Sequence, residues 1–242
     1  MKHPAPFAGT TFSAPQERST WFAEAVLARV DAQAPLRVLD IGCGTGGHVL
    51  ALAARMPRAT FHGVDVSAEN IAQAERSRRE SAAAGRIAFA CADYVRRGAE
   101  TYDLIVSDSA LHLIAAPTED LFARIAADLA PGGLLIASLP DGGAYNRALW
   151  LARCALAALR GPWLDRLALA LAARLYRGRH DEAFLRERIP YLYVLPRRFA
   201  GGALRTAARA QGLEWRSAER APHASAMQPV HALITWQRVA GE

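Results

Sequence analysis

The stretch Val38-Leu39-Asp40-Ile41-Gly42-Cys43-Gly44-Thr45-Gly46 decides the fold of this chain. Residues 36–41 read as an apolar strand. The glycines then form a turn that opens a helix running to about Met56, where Pro57 stops it. Glycine lets the backbone turn sharply and approach a ligand with no Cβ in the way. A helix N-terminus adds N–H groups directed at the same place. Asp65 follows Gly46 by 19 residues, at the end of the apolar run 60–64, where a carboxylate can accept both hydroxyls of a ribose.

Outward from this unit, apolar runs keep alternating with helical stretches. Ser67 is placed to cap a helix to about Ala84, and Gly85 can close it. Strands are expected at 87–91, 103–107 and 134–139, with a helix from near Pro117 between the last two and Pro131-Gly132-Gly133 turning the chain into the fifth strand. A helix over 197–212 and strands at 213–218 and 230–239 complete the pattern. Such alternation predicts an α/β protein with a parallel sheet covered by helices.

With 242 residues, 52% hydrophobic and 21% charged, the chain suits one α/β domain over 1–242 with a substantial core. Cys43, Cys91 and Cys154 lie far apart and form no CxxC or Cys/His cluster, so neither a disulfide framework nor a metal site is expected. No apolar segment follows Met1-Lys2-His3-Pro4, and a cytoplasmic location is expected. Net charge is +6 but uneven: residues 1–140 carry 13 Lys/Arg against 15 Asp/Glu, and residues 141–242 carry 16 against 8. That excess reads either as compositional bias of an arginine-rich chain or as a functional basic surface.

Gly42, Gly44 and Gly47 also satisfy the GxGxxG pattern of dinucleotide-binding enzymes, so the glycines alone do not name a ligand. Residues 38–46, however, resemble motif I of class I S-adenosylmethionine-dependent methyltransferases, with an acid two residues before the first glycine. Asp65 resembles that family's ribose-binding acid, Ala92-Asp93-Tyr94 its adenine-contacting stretch, and Leu129-Ala130-Pro131-Gly132-Gly133 its turn into strand five. The resemblance implies a doubly wound, mostly parallel seven-stranded sheet with a helical insertion after strand five, and S-adenosylmethionine as cofactor. It also implies roles. Gly42, Cys43, Gly44 and Gly46 shape the pocket for the methionine part, and Asp40 holds the loop and orients the amino group. Asp65 binds the ribose with Val66 beside it, Asp93 and Tyr94 meet the adenine, and the backbone near Ser107 meets the ammonium.

His112, in Asp108-Ser109-Ala110-Leu111-His112 just past strand four, is the candidate catalytic residue, because many small-molecule methyltransferases carry a similar Ala-Leu-His stretch there. Asp141, Tyr145 and His180 could also reach inward, though a structural role suits each. The stretch after strand four lacks the Asn/Asp-Pro-Pro-Tyr/Phe motif of amino-methylating nucleic-acid enzymes, and no aromatic-plus-basic single-strand module is appended. The expected acceptor is therefore a small, apolar or aromatic metabolite, with O-, N- and C-acceptors all open and nucleic acid disfavoured. A dinucleotide-dependent oxidoreductase and a non-catalytic partner protein of the same fold remain as alternatives.

Two regions flank this core. In residues 1–34, a cap region, Trp21 to Val30 forms an amphipathic helix, and Arg18 before it reads as solvated rather than as a partner for the methionine carboxylate. Residues 141–195 are expected to form a helical lid. Between Trp163 and Arg177 the helical period puts Leu164, Leu167, Ala168, Leu171 and Leu175 on one face and Arg166, Arg174 and Arg177 on the other. The apolar face is expected to be buried on the core, to line an acceptor pocket or to form a homodimer seam. A membrane-surface helix is a further possibility, but the arginines and Gly161-Pro162 argue against a membrane span.

Overall fold

The computed structural model describes residues 16–178, 181–182, 185–186, 189–222 and 228–239. His180 and the first fifteen residues of the cap region lie outside them.

The central strands β1, β4 and β5 are apolar runs buried for most of their length, as strands covered on both faces must be. In chain order the elements are α1 (Gln16–Leu27), β1 (Arg37–Ile41), α2 (Gly47–Ala53), β2 (Thr60–Asp65), α3 (Ala68–Arg79), β3 (Ile87–Cys91), β4 (Tyr102–Asp108), α4 (Thr118–Asp128), β5 (Leu129–Pro140), α5 (Ala144–Ala158), α6 (Pro162–Leu175), α7 (Gly202–Ala210), β6 (Leu213–Arg220) and β7 (His231–Arg238). The strands form one seven-stranded sheet in the order β3-β2-β1-β4-β5-β7-β6. Strands β1 to β5 pair in parallel, and β7 is antiparallel to both β5 and β6. Strand order reverses between β1 and β4, so a crevice opens outside their carboxyl ends, where open α/β sheets bind ligands.

Successive residues of each strand face opposite sides, and two cores result. Leu39, Ile105 and Leu135 pack under Leu121, Phe122 and Ile125 of α4 and Leu204 of α7. Val38, Leu104 and Ile136 pack under Phe22 and Val26 of α1 and Val49 and Leu52 of α2. The expected elements are present, with boundaries moved by local chemistry. The Ser67 hydroxyl accepts from the Asn70 N–H and caps α3 as expected, but α3 ends at Arg79 rather than near Ala84. Pro131-Gly132-Gly133 does not precede β5 but bulges within it, since Leu129 already pairs with Tyr102 before the register shifts to Leu134 opposite Leu104. Helix α7 starts at Gly202 rather than Arg197.

The insertion is helical, but its packing differs from expectation. α6 shows Leu164 to the interior, while Leu167, Leu171 and Leu175 are 58%, 56% and 69% exposed. The Asp165 carboxylate accepts the Tyr193 hydroxyl at 2.5 Å, and the Arg160 guanidinium lies 4.6 Å over the Tyr193 ring. These contacts tie the start of α6 to the 189–193 turn, and of the leucines expected inward only Leu164, in that first turn, is buried. Asp141, which could have reached inward, instead organises the start of α5: its carboxylate accepts from the Gly143 N–H and Asn146 Nδ2, both at 2.9 Å. Tyr145, at 42% exposure, donates to the Gln228 carbonyl at 3.4 Å and also faces outward.

At the far end of α4 the fully buried Asp128 accepts from Arg124 Nε at 3.0 Å and Arg97 Nη2 at 3.2 Å. Removing one member of a buried pair strands the other charge. Asp128→Ala should therefore destabilise the protein by about 3–5 kcal/mol in urea unfolding. A loss below about 1 kcal/mol, the level of a surface ion pair, would show that the cluster is solvated.

Candidate active site

Three hydrogen bonds fold the glycine turn onto the end of β2, and others brace the turn and Asp65 themselves. Val64 O accepts from the N–H groups of Gly42 and Cys43 at 2.8 and 3.0 Å, and Gly46 N–H reaches Cys43 O at 2.9 Å. Asp65 Oδ2 accepts from Gly44 N–H at 3.0 Å, and Oδ1 from Ser67 N–H at 2.9 Å. Asp65 Oδ1 also takes Asn70 Nδ2 at 3.1 Å. Asp65 is thus a turn-holding residue in addition to any ligand role, and Asp65→Ala would loosen the glycine loop itself. Gly42 has φ +74°, and a Cβ there would sit 2.3 Å from Ala110 Cβ. Gly46 has φ +82°, and its Cβ would meet the Phe89 ring at 2.7 Å. Only glycine suits either position.

Asp40 lies beneath this turn, fully buried, and neither carboxylate oxygen has a hydrogen-bond partner among the described residues. Burial pushes its pKa up to about 7, with His48 pulling it down and Asp108 and Asp65 pushing it further up. A buried carboxylate without partners is costly.

The second acid, Asp108, at the end of β4, has the opposite environment. Arg18 grips it with Nε at 2.8 Å and Nη2 at 2.5 Å, and His48 Nε2 stands 3.2 Å from Oδ2. Burial opposes ionisation here, but the hydrogen bonds from Arg18 and His48 hold Asp108 well below the usual carboxylate range. His48 loses solvation too, yet Asp108 and Asp40 keep its pKa above the usual value. The same Arg18 nitrogen donates to Ser138 Oγ at 2.8 Å, and Ser138 Oγ lies 2.9 Å from His231 Nδ1. Ser109, in the left-handed region at φ 60°, also reaches His231 Nδ1 at 3.0 Å. A non-glycine residue held there stores strain that the surrounding network must sustain. The expectation of a solvated Arg18 is therefore overturned: it closes a polar chain running from α1 across β4 and β5 to β7.

Asp40, the glycines, Asp65 and Ser107 come together at the ends of neighbouring strands β2, β1 and β4. The Ser107 hydroxyl donates to Ile41 O at 2.7 Å and ties β4 to the turn. Val66 follows Asp65 at the surface, and its carbonyl faces Cys91 Sγ at 3.7 Å. Asp93 sits at the end of β3, half exposed, where its carboxylate accepts from Val95 N–H at 3.1 Å and pairs with Arg96 at 3.3 Å. Tyr94 turns the other way: its ring is in the core below the sheet, flanked by the Arg97 and Arg124 guanidiniums. The side chain is therefore not at the ligand-facing edge.

His112, in the 3₁₀ turn Leu111–Leu113, is buried with Nδ1 unpartnered among the described residues, and its ring meets that of His231 edge-on at 5.6 Å. Burial, then the nearby His231 and Arg198, push its pKa well below the usual imidazole range, so the ring is neutral at pH 7. Arg198 holds this turn by donating to the carbonyls of Leu111 at 2.6 Å, Ile114 at 2.9 Å and Ala116. Sequence reasoning missed His48, Asp108, Ser138, Arg198 and His231, because their partners lie tens of residues away. The one local signal was Asp108 closing a strand next to a serine.

The Arg18–Asp108 pair yields a stability prediction with a defined sign. Asp108 has a depressed folded pKa, so its contribution is present above the unfolded carboxylate range and is lost as pH falls through the folded value. Arg18→Ala should destabilise by about 3 kcal/mol near neutrality, with the difference from wild type shrinking below about pH 4. Urea titrations at the two pH values read this directly. A pH-independent difference would mean that Arg18 contributes packing alone.

Residues 38–133 match the family described as a methyltransferase domain. A trans-aconitate 2-methyltransferase of Streptomyces avermitilis is 36% identical over 153 residues, 62% of this chain and 52% of the relative. A second, from Paracidovorax citrulli, is 32% identical over 66% of this chain and 58% of its own length. The chain thus spans little more than half the length of these curated relatives. The solved magnesium protoporphyrin IX methyltransferase from Synechocystis PCC 6803, with bound S-adenosylhomocysteine, superposes with a TM-score of 0.59 at 17% identity, over 92% of this chain and 83% of that one. Residues 38–133 thus resemble a methyltransferase domain, and the seven-stranded sheet that carries them has the fold of that solved methyltransferase.

Proposed function

We propose that this chain transfers a methyl group from S-adenosylmethionine to a small molecule at the carboxyl ends of β1, β4 and β5. The observation that carries the reading is Asp40, a buried carboxylate with neither oxygen partnered among the described residues, beneath a glycine turn that leaves no room for a Cβ at Gly42 or Gly46. Such a site accepts an ammonium. A dinucleotide's pyrophosphate would instead bring negative charge to an unpartnered acid, which disfavours the oxidoreductase alternative.

In this reading Gly42, Cys43, Gly44 and Gly46 shape the methionine pocket, Asp40 and the backbone near Ser107 face the amino group, and Asp65 with Val66 meets the ribose. Asp93 and the Tyr94 backbone lie on the adenine side. The bound cofactor supplies an electrophilic methyl on a sulfonium. The protein's task is to align the acceptor and exclude water from the reacting atoms. His112, neutral and with Nδ1 unpartnered among the described residues, is the candidate to orient the acceptor or take its proton.

The acceptor reading shifts with the structure. The leucines of α6 that supported an apolar pocket point outward. The side chains beside His112 are polar: Ser109, Ser138 and His231. Together with the named activity of the sequence relatives, this favours an acceptor bearing a carboxylate over a wholly apolar one. A product-formation assay should show S-adenosylhomocysteine released with small polycarboxylates and not with carboxylate-free aromatics. The reverse pattern would restore the apolar acceptor.

Asp40 gives a test that does not depend on the acceptor. An ammonium is held by the carboxylate form, so below about pH 7 the acid must lose a proton before the ligand binds. Calorimetry should show S-adenosylhomocysteine affinity falling by up to about tenfold per pH unit below that value. Asp40→Asn should bind weakly and without this slope. Binding of NAD or NADP in place of S-adenosylhomocysteine would overturn the cofactor assignment.

A further inference from the structure

The helices that follow β5 present an outer face that water does not favour. On α6, Trp163, Leu167, Leu171 and Leu175 recur every four residues, which stacks them in one stripe, and all four are between 56% and 69% exposed. On α5, Leu151 and Leu159 are 62% and 60% exposed, and the alanines 144, 148, 152 and 155 are exposed with them. Contiguous exposed apolar surface of this kind marks an interaction site.

Charge decides what it fits. Residues 144–177 carry six arginines, at 147, 153, 160, 166, 174 and 177, against one acid, Asp165. That acid is occupied by the Tyr193 hydroxyl. Arg166, Arg174 and Arg177 are exposed too, and they flank the apolar stripe, because the solvent-facing side of α6 is wide enough to take in both of the faces expected from the period. A two-fold dimer through this face would bring two surfaces rich in arginine and poor in acids together. An anionic bilayer instead offers phosphates to the guanidiniums and an acyl boundary to the leucines and Trp163, while the arginine stems lie along the apolar surface.

We propose that the outer face of α5 and α6 docks the protein on anionic membrane surfaces. The contact is interfacial, since no described helix is long and apolar enough to cross a membrane. Leu167 and Leu171 enter the headgroup boundary, and Arg166, Arg174 and Arg177 bind lipid phosphates.

The test is co-sedimentation of the full chain with vesicles of phosphatidylcholine alone, or of phosphatidylcholine and phosphatidylglycerol in equal parts. Wild type should sediment only with the anionic vesicles and should be released by high salt. The doubles L167D/L171D and R166E/R174E should each bind about tenfold or more weakly. Their unfolding temperatures should be unchanged, because these side chains face outward. Three results would overturn the proposal: wild type staying in solution with both vesicles, equal binding to both compositions, or variants that bind like wild type. Light scattering supplies the competing outcome: a wild-type dimer that L167D/L171D dissociates, with no vesicle binding, would make a second copy the occupant.

Discussion

Everything at the ligand-facing edge depends on how β1 ends. A parallel strand that stops beside its neighbours must redirect its backbone at once, and here the redirection is anchored on β2. Val64 O takes two N–H groups of the turn, and Asp65 takes a third while also holding the start of α3. Positive φ at Gly42, Gly44 and Gly46 makes that path possible. Close approach of Ala110 and Phe89 then fixes the turn against β4 and β3. The position of α2, and with it His48, follows from this geometry.

Two acids buried near one another would repel if both were left alone. The protein treats them differently. Asp108 is gripped by Arg18 and His48 and stays ionised, whereas Asp40 has no hydrogen-bond partner among the described residues and is pushed toward neutrality. Low local polarity strengthens both effects, stabilising the paired acid and raising the cost of the unpaired one. Structural charge and ligand-directed charge are thereby separated within one cluster. Arg18 also links α1 to this edge, so the cap helix is fixed to the sheet by a buried ion pair as well as by Phe22 and Val26.

The 141–195 region shows how a helical period can be read correctly and still be placed wrongly. Amphipathicity identifies a helix and its stripes, but the stripe that turns inward is chosen by whatever the helix meets. On α6 the meeting with Tyr193 through Asp165 is at the helix start, and there Leu164 is buried. Leu167, Leu171 and Leu175 fall outside, where their neighbours are arginines.

The sequence by itself determined the strand-turn-helix unit at 38–53, the strand ends bearing Asp65 and Ser107, the Ser67 cap and the class of sheet. Those features arise from local rules: apolar runs, glycine conformations and short-range capping. Its periodicity also located α6, though not which side it shows to water. Only the tertiary structure decided that Arg18 is a buried partner of Asp108, that Tyr94 is core, that His112 is neutral against His231, and that Arg198 holds its turn. Each joins residues from separate elements: 90 positions part Arg18 from Asp108, and Arg198 lies 87 from Leu111. The charge state of a buried group depends on the partners that packing brings to it. No pattern along the chain encodes such a partner until the sheet has set its neighbours side by side.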